Sequence, residues 1–174
     1  NYNVEVETGK YSAKHWSTVA QNTAASVSNF GFKNYIINGN FDVWQRGTSQ
    51  TTSGYGSDDR WYNLSGGSTK THTMVNATDT ERVVFNSSKF SRTVVTSVAG
   101  VTNSVTKFQY IEDVTRIAGK TVTISFWAKA DSNKNIAIEL AQIFGTGGSP
   151  SSAVNTIGSQ LVALTNTWQK KTIT

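Results

Sequence analysis

The chain has 174 residues, of which 37% are hydrophobic, 11% aromatic and only 16% charged, room for one domain of ordinary size plus an appendage. No cysteine is present, which excludes disulfides, thiolate nucleophiles and cysteine-based zinc sites. The formal net charge of +5 is scattered, with Lys170-Lys171 the only adjacent basic pair, so the clustered footprint of a nucleic-acid binder is missing.

The 24 Thr, 20 Ser and 15 Asn belong to extended, solvent-washed β-structure, while five Trp, six Tyr and eight Phe supply large side chains to bury and argue against disorder. No run of 18 apolar residues occurs and no charged-then-apolar leader opens the sequence, so neither a membrane insertion nor a signal peptide is expected. A first residue Asn1 rather than Met suggests a piece of a longer polypeptide.

Residues 8–30 read as the only helical stretch, with Ala13, Trp16, Ala20, Thr23, Val27 and Phe30 recurring at spacings of three and four. Thr8 or Ser12 is placed to cap its start, and Asn29 with Gly31 to end it. A thin stripe made largely of Ala buries too little surface to hold an isolated helix in water. It needs a partner, either the following domain or copies of itself in a bundle.

From Asn34 the pattern turns to β. Segments 34–38, 60–65, 70–76, 91–98, 104–111, 160–165 and 167–174 read as strands, together with 121–129 and the alternating set Ile136, Ile138 and Leu140. In 121–129, Val122, Ile124, Phe126 and Ala128 share one face, and Trp127 alone breaks the polar one. About nine short strands with turn signals between them predict an antiparallel sandwich and disfavour a doubly wound sheet. The Gly, Ser and Thr of 47–57, 65–69, 86–89 and 145–152 mark loops. Because Trp168 to Thr174 reads as an unterminated strand, further residues are expected to complete the sheet.

No nucleophile-elbow, metalloprotease or P-loop pattern is found, and His15 and His72 stand apart in the sequence, one on the helix and one in a strand. The pairs Asp58-Asp59 and Glu112-Asp113 do not make a glycosidase site by themselves. Neighbours on a strand point to opposite faces, whereas that chemistry needs two carboxyls facing each other roughly 5 to 9 Å apart. Asp59-Arg60 reads as a local ion pair or turn contact, and Glu112-Asp113 as the start of a turn before Arg116. No catalytic residue, metal ligand or cofactor is assigned; calcium is the better use for such acids, but no EF-hand-like spacing supports it.

Aromatic residues beside polar partners are more informative. Sugars present flat apolar faces ringed with hydroxyls, so an exposed Trp or Tyr next to amide, carboxylate or guanidinium groups suits them. Trp44-Gln45-Arg46 and Asp59-Arg60-Trp61-Tyr62 each offer that combination beside a loop. The carbohydrate-binding candidates are Trp44, Arg46, Asp59, Arg60, Trp61 and Trp127, with Tyr55, Tyr110, Gln109 and Asn63 as weaker ones. The competing reading makes Trp44 and Trp61 part of the fold.

The run from Asn34 to Gly47 (NYIINGNFDVWQRG), followed by Asp59-Arg60-Trp61, resembles the start of the carbohydrate-binding-like β-sandwich modules of bacteriophage tail fibre and tailspike proteins. Tyr110 to Val114, Ala118 to Ala130 and Phe144 to Ser151 are similar to later segments of those modules, and Glu7 to Trp16 to helical shaft segments of tail fibres. The resemblance implies a mainly β, antiparallel jelly-roll of galactose-binding-like type over 32–174, incomplete at its C-terminal end, after a helical linker and trimerisation segment over 1–31. It also implies a homotrimer in the virion, partnered by other tail or baseplate proteins and by host surface polysaccharide. The alternative is a purely structural connector between the fibre shaft or virion and a distal receptor-binding or depolymerase domain. In either role Asn38 to Phe41 and Asp59 to Trp61 can serve chiefly the fold.

Overall fold

A computed structural model of the chain describes residues 5–7, 10–29 and 34–174. Two compact units emerge, Asn1–Tyr35 and Ile36–Thr174.

The first unit holds a small antiparallel ribbon, β1 (Glu5–Glu7) with β2 (Lys10–Tyr11), and one helix, α1 (Ala13–Asn29). Ser12 caps the helix as its sequence suggests: its Oγ accepts the backbone N–H of His15 at 3.2 Å. Of the anticipated stripe, Trp16 is 55% exposed, and Ala13, Ala20 and Thr23 are exposed with it. Thr8, Phe30 and Gly31 lie outside the described residues.

The second unit is mainly β and antiparallel. In chain order it has β3 (Ser49–Gln50), β4 (Tyr62–Gly66), β5 (Thr69–Asn76), α2 (Asp79–Phe85), β6 (Lys89–Thr96), β7 (Ser104–Phe108), a 3-10 turn (Val114–Arg116), β8 (Ile124–Ala128), β9 (Lys134–Gln142), β10 (Val154–Leu164) and β11 (Gln169–Ile173). The pairing nests twice. The β5–β6 pair lies in sequence between the paired β4 and β7, and the β9–β10 pair between the paired β8 and β11; β3 adds to the free edge of β5.

The alternation read in the sequence holds where it was strongest. Val122, Ile124, Phe126 and Ala128 are half-buried and Trp127 is exposed, while Ile136, Ile138 and Leu140 share the half-buried face of β9. Val162 and Leu164 on β10 and Ala77 are the buried apolar side chains among the described residues.

Two expectations are corrected. Residues 34–38 form no strand: Asn38 turns the chain with φ 53°, and the Gln109 side chain takes both backbone groups of Ile37, donating to its carbonyl at 2.8 Å and accepting its N–H at 2.7 Å. One side-chain amide thus replaces a strand partner. Nor is 8–30 the only helical stretch, because Asp79–Phe85 is helical. A capping box starts it, with Glu81 N–H donating to Thr78 Oγ1 and Thr78 N–H donating back to Glu81 Oε2, and Asn86 ends it in the left-handed conformation.

Helix α2 is tied to the β8–β11 pair by one side chain and an aromatic cluster. Glu81 Oε1 accepts from Trp168 Nε1 and from Lys129 Nζ, each at 2.9 Å. Phe85, Phe90 and Trp168 pack with ring centroids 4.7 to 6.1 Å apart, and Lys129 lies 4.9 Å over the Trp168 ring. The hydrogen bond from Trp168, then those from Lys129 and Thr78, hold the Glu81 carboxyl down to about 2. A depressed acid contributes stability that is complete above its ordinary value of 4.5 and fades as pH falls through the folded value. Glu81→Gln is therefore expected to destabilise the protein by about 1–3 kcal/mol at pH 7, with the difference closing as pH falls from 4.5 toward 2. Urea midpoints of both proteins across that range check it; a gap constant down to pH 2 would assign the loss to shape rather than charge.

Candidate functional site

The residues anticipated for ligand contact fall around a frame whose most buried side chains are polar. His72 and Asn63 are 0% exposed, and Asp58 and Ser57 1%. Asp58 Oδ1 accepts from Ser57 Oγ at 2.9 Å and from Asn63 Nδ2 at 2.7 Å, while its Oδ2 accepts from Ser91 Oγ at 3.2 Å and from the Lys107 ammonium. Gln50 Oε1 accepts from the same Ser57 and Asn63 groups, each at 3.0 Å. Burial pulls the Lys107 ammonium down to about 7, against the opposing pull of the carboxylate it touches. This network joins β3, β4, β6 and β7, and it fixes where the 51–61 segment leaves the sheets.

The loop carrying Tyr55 is tied down from two sides. Gln50 Nε2 donates to the carbonyls of Thr52 and Gly54 at 3.0 and 2.9 Å, and Lys70 Nζ donates to those of Thr51 and Thr52 at 3.2 and 3.0 Å. Gly56 lets the Gln50 amide lie close, since a Cβ there would stand 2.8 Å from its Cδ. Lys70 and His72 point inward on β5, and desolvation lowers the pKa of both. His72, held down to about 4 by burial and then by the Lys70 charge, is a neutral imidazole whose Nδ1 meets Thr93 Oγ1 at 2.8 Å.

The segment 38–46 is stitched to 58–61 by short contacts. The Asn38 amide donates to the carbonyls of Val43 and Asp59 at 2.9 and 3.0 Å, and its Oδ1 accepts the N–H of Val43 at 3.0 Å. Asp59 Oδ2 accepts the N–H of Gln45 at 2.5 Å. Trp61 Nε1 donates to the Asn38 carbonyl at 3.1 Å, its ring stacked on Phe41 at 5.3 Å, and Trp44 Nε1 donates to the carbonyl of Phe41. Both half-buried tryptophans thus spend their polar group on the chain, a role in the fold. Asp58 and Asp59 diverge, one into the buried network and one toward Gln45 and Arg46.

Of the six candidates, Arg46 and Arg60 come together. With Tyr55 they line an open depression of about 200 Å³. Arg46 is loosely held, its Nε 3.9 Å from Asp59 Oδ1 and its side chain 60% exposed. Arg60 is exposed, in a turn at φ 74°, and among the described residues has no carboxylate partner. Tyr55 is 46% exposed, its ring edge-on to Tyr62 at 5.1 Å. Trp127 does not line this depression: it stands on the exposed face of β8 opposite Lys170. A second open depression, of about 410 Å³, is lined by residues 133–135 and 163–165. Asp113 caps the turn before Arg116 as its sequence suggests, accepting the N–H of Thr115 at 3.1 Å.

Sequence reasoning missed the buried network around Asp58, because Ser, Asn, Gln and Lys read as exposed. The one available signal was the dense succession of polar residues that can satisfy each other between Gln50 and Asn63. Among the described residues, no group of three or more His, Asp or Glu side chains could hold a metal ion, and no helix is long and apolar enough to cross a membrane. Compared with known proteins, the chain matches no family model, no curated protein and no solved structure.

Proposed function

We propose that this chain is a noncatalytic adhesion segment of a phage tail fibre or tailspike, whose strands form a jelly-roll sandwich that recognises host surface glycan. The observation that carries the reading is the meeting of Arg46, Arg60 and the exposed ring of Tyr55 at one open depression, on loops braced from beneath. Guanidinium forks and a tyrosine face are groups that a hydroxyl-rich ring can engage. The nested antiparallel pairing supports the jelly-roll, and the resemblance of 34–47, 110–114 and 118–130 to tail fibre modules supports the setting in the virion beside other tail or baseplate proteins. Trimeric assembly is supported by the stripe of α1, where Trp16 is 55% exposed and Ala13, Ala20 and Thr23 are exposed with it. One shallow site binds weakly, on the order of millimolar, and three copies raise avidity through effective concentration.

Titration of host capsular or lipopolysaccharide glycan into the protein tests this reading, with sedimentation giving the mass of the assembly. Expected are saturable binding, unchanged polymer length and three times the 18.9 kDa of one chain. Shortened polymer would make the segment a depolymerase. Absence of binding by a verified trimer would leave the connector role, which the structural use of Trp44 and Trp61 favours.

A further inference from the structure

The residues lining the depression carry charge as well as an aromatic face. Two arginines line it, and the carboxylate beside Arg46 is already engaged: Asp59 accepts the Gln45 N–H through Oδ2 and stands 3.9 Å from Arg46 Nε through Oδ1. Asp58, the next acid in the chain, is turned into the buried network and paired with Lys107. A neutral sugar offers the Arg46 and Arg60 forks only uncharged hydroxyl acceptors, whereas a carboxylate would satisfy them with charge-assisted bonds in the bidentate geometry that guanidinium favours.

We infer that the Arg46, Tyr55 and Arg60 depression takes a carboxylated sugar, of uronic or sialic acid type, with its acid group between the two guanidiniums and its ring against Tyr55. A volume of about 200 Å³ is below the range typical of enclosing pockets, which suits one monosaccharide unit of a longer chain rather than an engulfed ligand. Arg60 is presented by a left-handed turn at φ 74°, and Tyr55 by a loop that Gln50 and Lys70 hold. The backbone at both positions is therefore set before binding, and the long arginine side chains are what binding has to order. The inference rests on the glycan reading above and narrows it to acidic glycans.

The test titrates the intact protein with hexamers of galacturonate, of hyaluronan and of sialic acid, each beside its carboxyl-esterified neutral form. At least one acid form is expected to bind tenfold or more tightly than its ester, with affinity falling as salt is raised. Arg46→Ala and Arg60→Ala are each expected to weaken that binding about tenfold while unfolding at the wild-type urea concentration, and Arg60→Lys to restore it only in part. Equal binding of acid and ester, or arginine variants that bind like wild type, would overturn the acidic site and leave glycan recognition standing. Binding of neutral host glycan alone would do the same. No binding of any glycan would overturn both.

Discussion

Replacing Lys107 by Met is expected to destabilise the protein by about 3–5 kcal/mol, because the change strips the Asp58 carboxylate of the cation that touches it while leaving it fully buried. Ser57, Asn63 and Ser91 would still donate to it, but neutral donors do not offset a carboxylate charge removed from water. The partner change discriminates charge from packing. Adding Asp58→Asn to the Lys107→Met chain removes the unbalanced charge and is expected to recover most of the loss. Urea unfolding of the two single variants and the double variant gives the coupling directly. A loss below about 1 kcal/mol for Lys107→Met would mean that the polar network carries little of the fold's stability.

Trp168→Ala is expected to cost about as much, roughly 3–5 kcal/mol, by a different route. The indole fills the contact between Phe85 and Phe90 and lies under the Lys129 ammonium, so truncation opens a cavity at the joint of α2, β6 and the β8–β11 pair. It also removes one of the two donors on Glu81 Oε1. Trp168→Phe keeps most of the volume and loses the donor, and is expected to fall about midway. Equal stability of the Phe and wild-type chains would show that the hydrogen bond to Glu81 contributes nothing net.

The elements of the fold divide in how far they could be read from the residues alone. The strict alternation of Val122 to Ala128 and of Ile136 to Leu140 places β8 and β9 and their half-buried faces, because a single apolar face needs no tertiary information to be seen. Segment 34–38 misleads for the converse reason. Tyr35, Ile36 and Ile37 carry strand-forming residues, yet the left-handed turn at Asn38 and the reach of Gln109 across the fold decide the backbone there. Helix α2, at seven residues, is too short for periodicity to reveal, and its capping box, Thr78 with Glu81, is the signal that the reading of 8–30 as the only helical stretch passed over.

The candidate site shows the same split. Arg46, Asp59 and Arg60 were legible as polar groups beside tryptophans, but which side chains converge depended on contacts between segments far apart in sequence. The Asn38 amide binds both Val43 and Asp59, and thereby brings the Arg46 and Arg60 stretches side by side while tucking Trp44 and Trp61 into the turn. Tyr55, ranked behind the tryptophans by sequence, lines the depression because Lys70 and Gln50 hold its loop.

The claim that glycan is recognised at the braced loops, rather than on the open strand faces, is met most directly by amide chemical-shift perturbation of the isotopically labelled protein during titration with host polysaccharide. Perturbations are expected to cluster at Arg46, Tyr55 and Arg60 and to leave Trp127 and Lys170 unmoved. Shifts centred on Trp127, or none at saturating glycan, would contradict it.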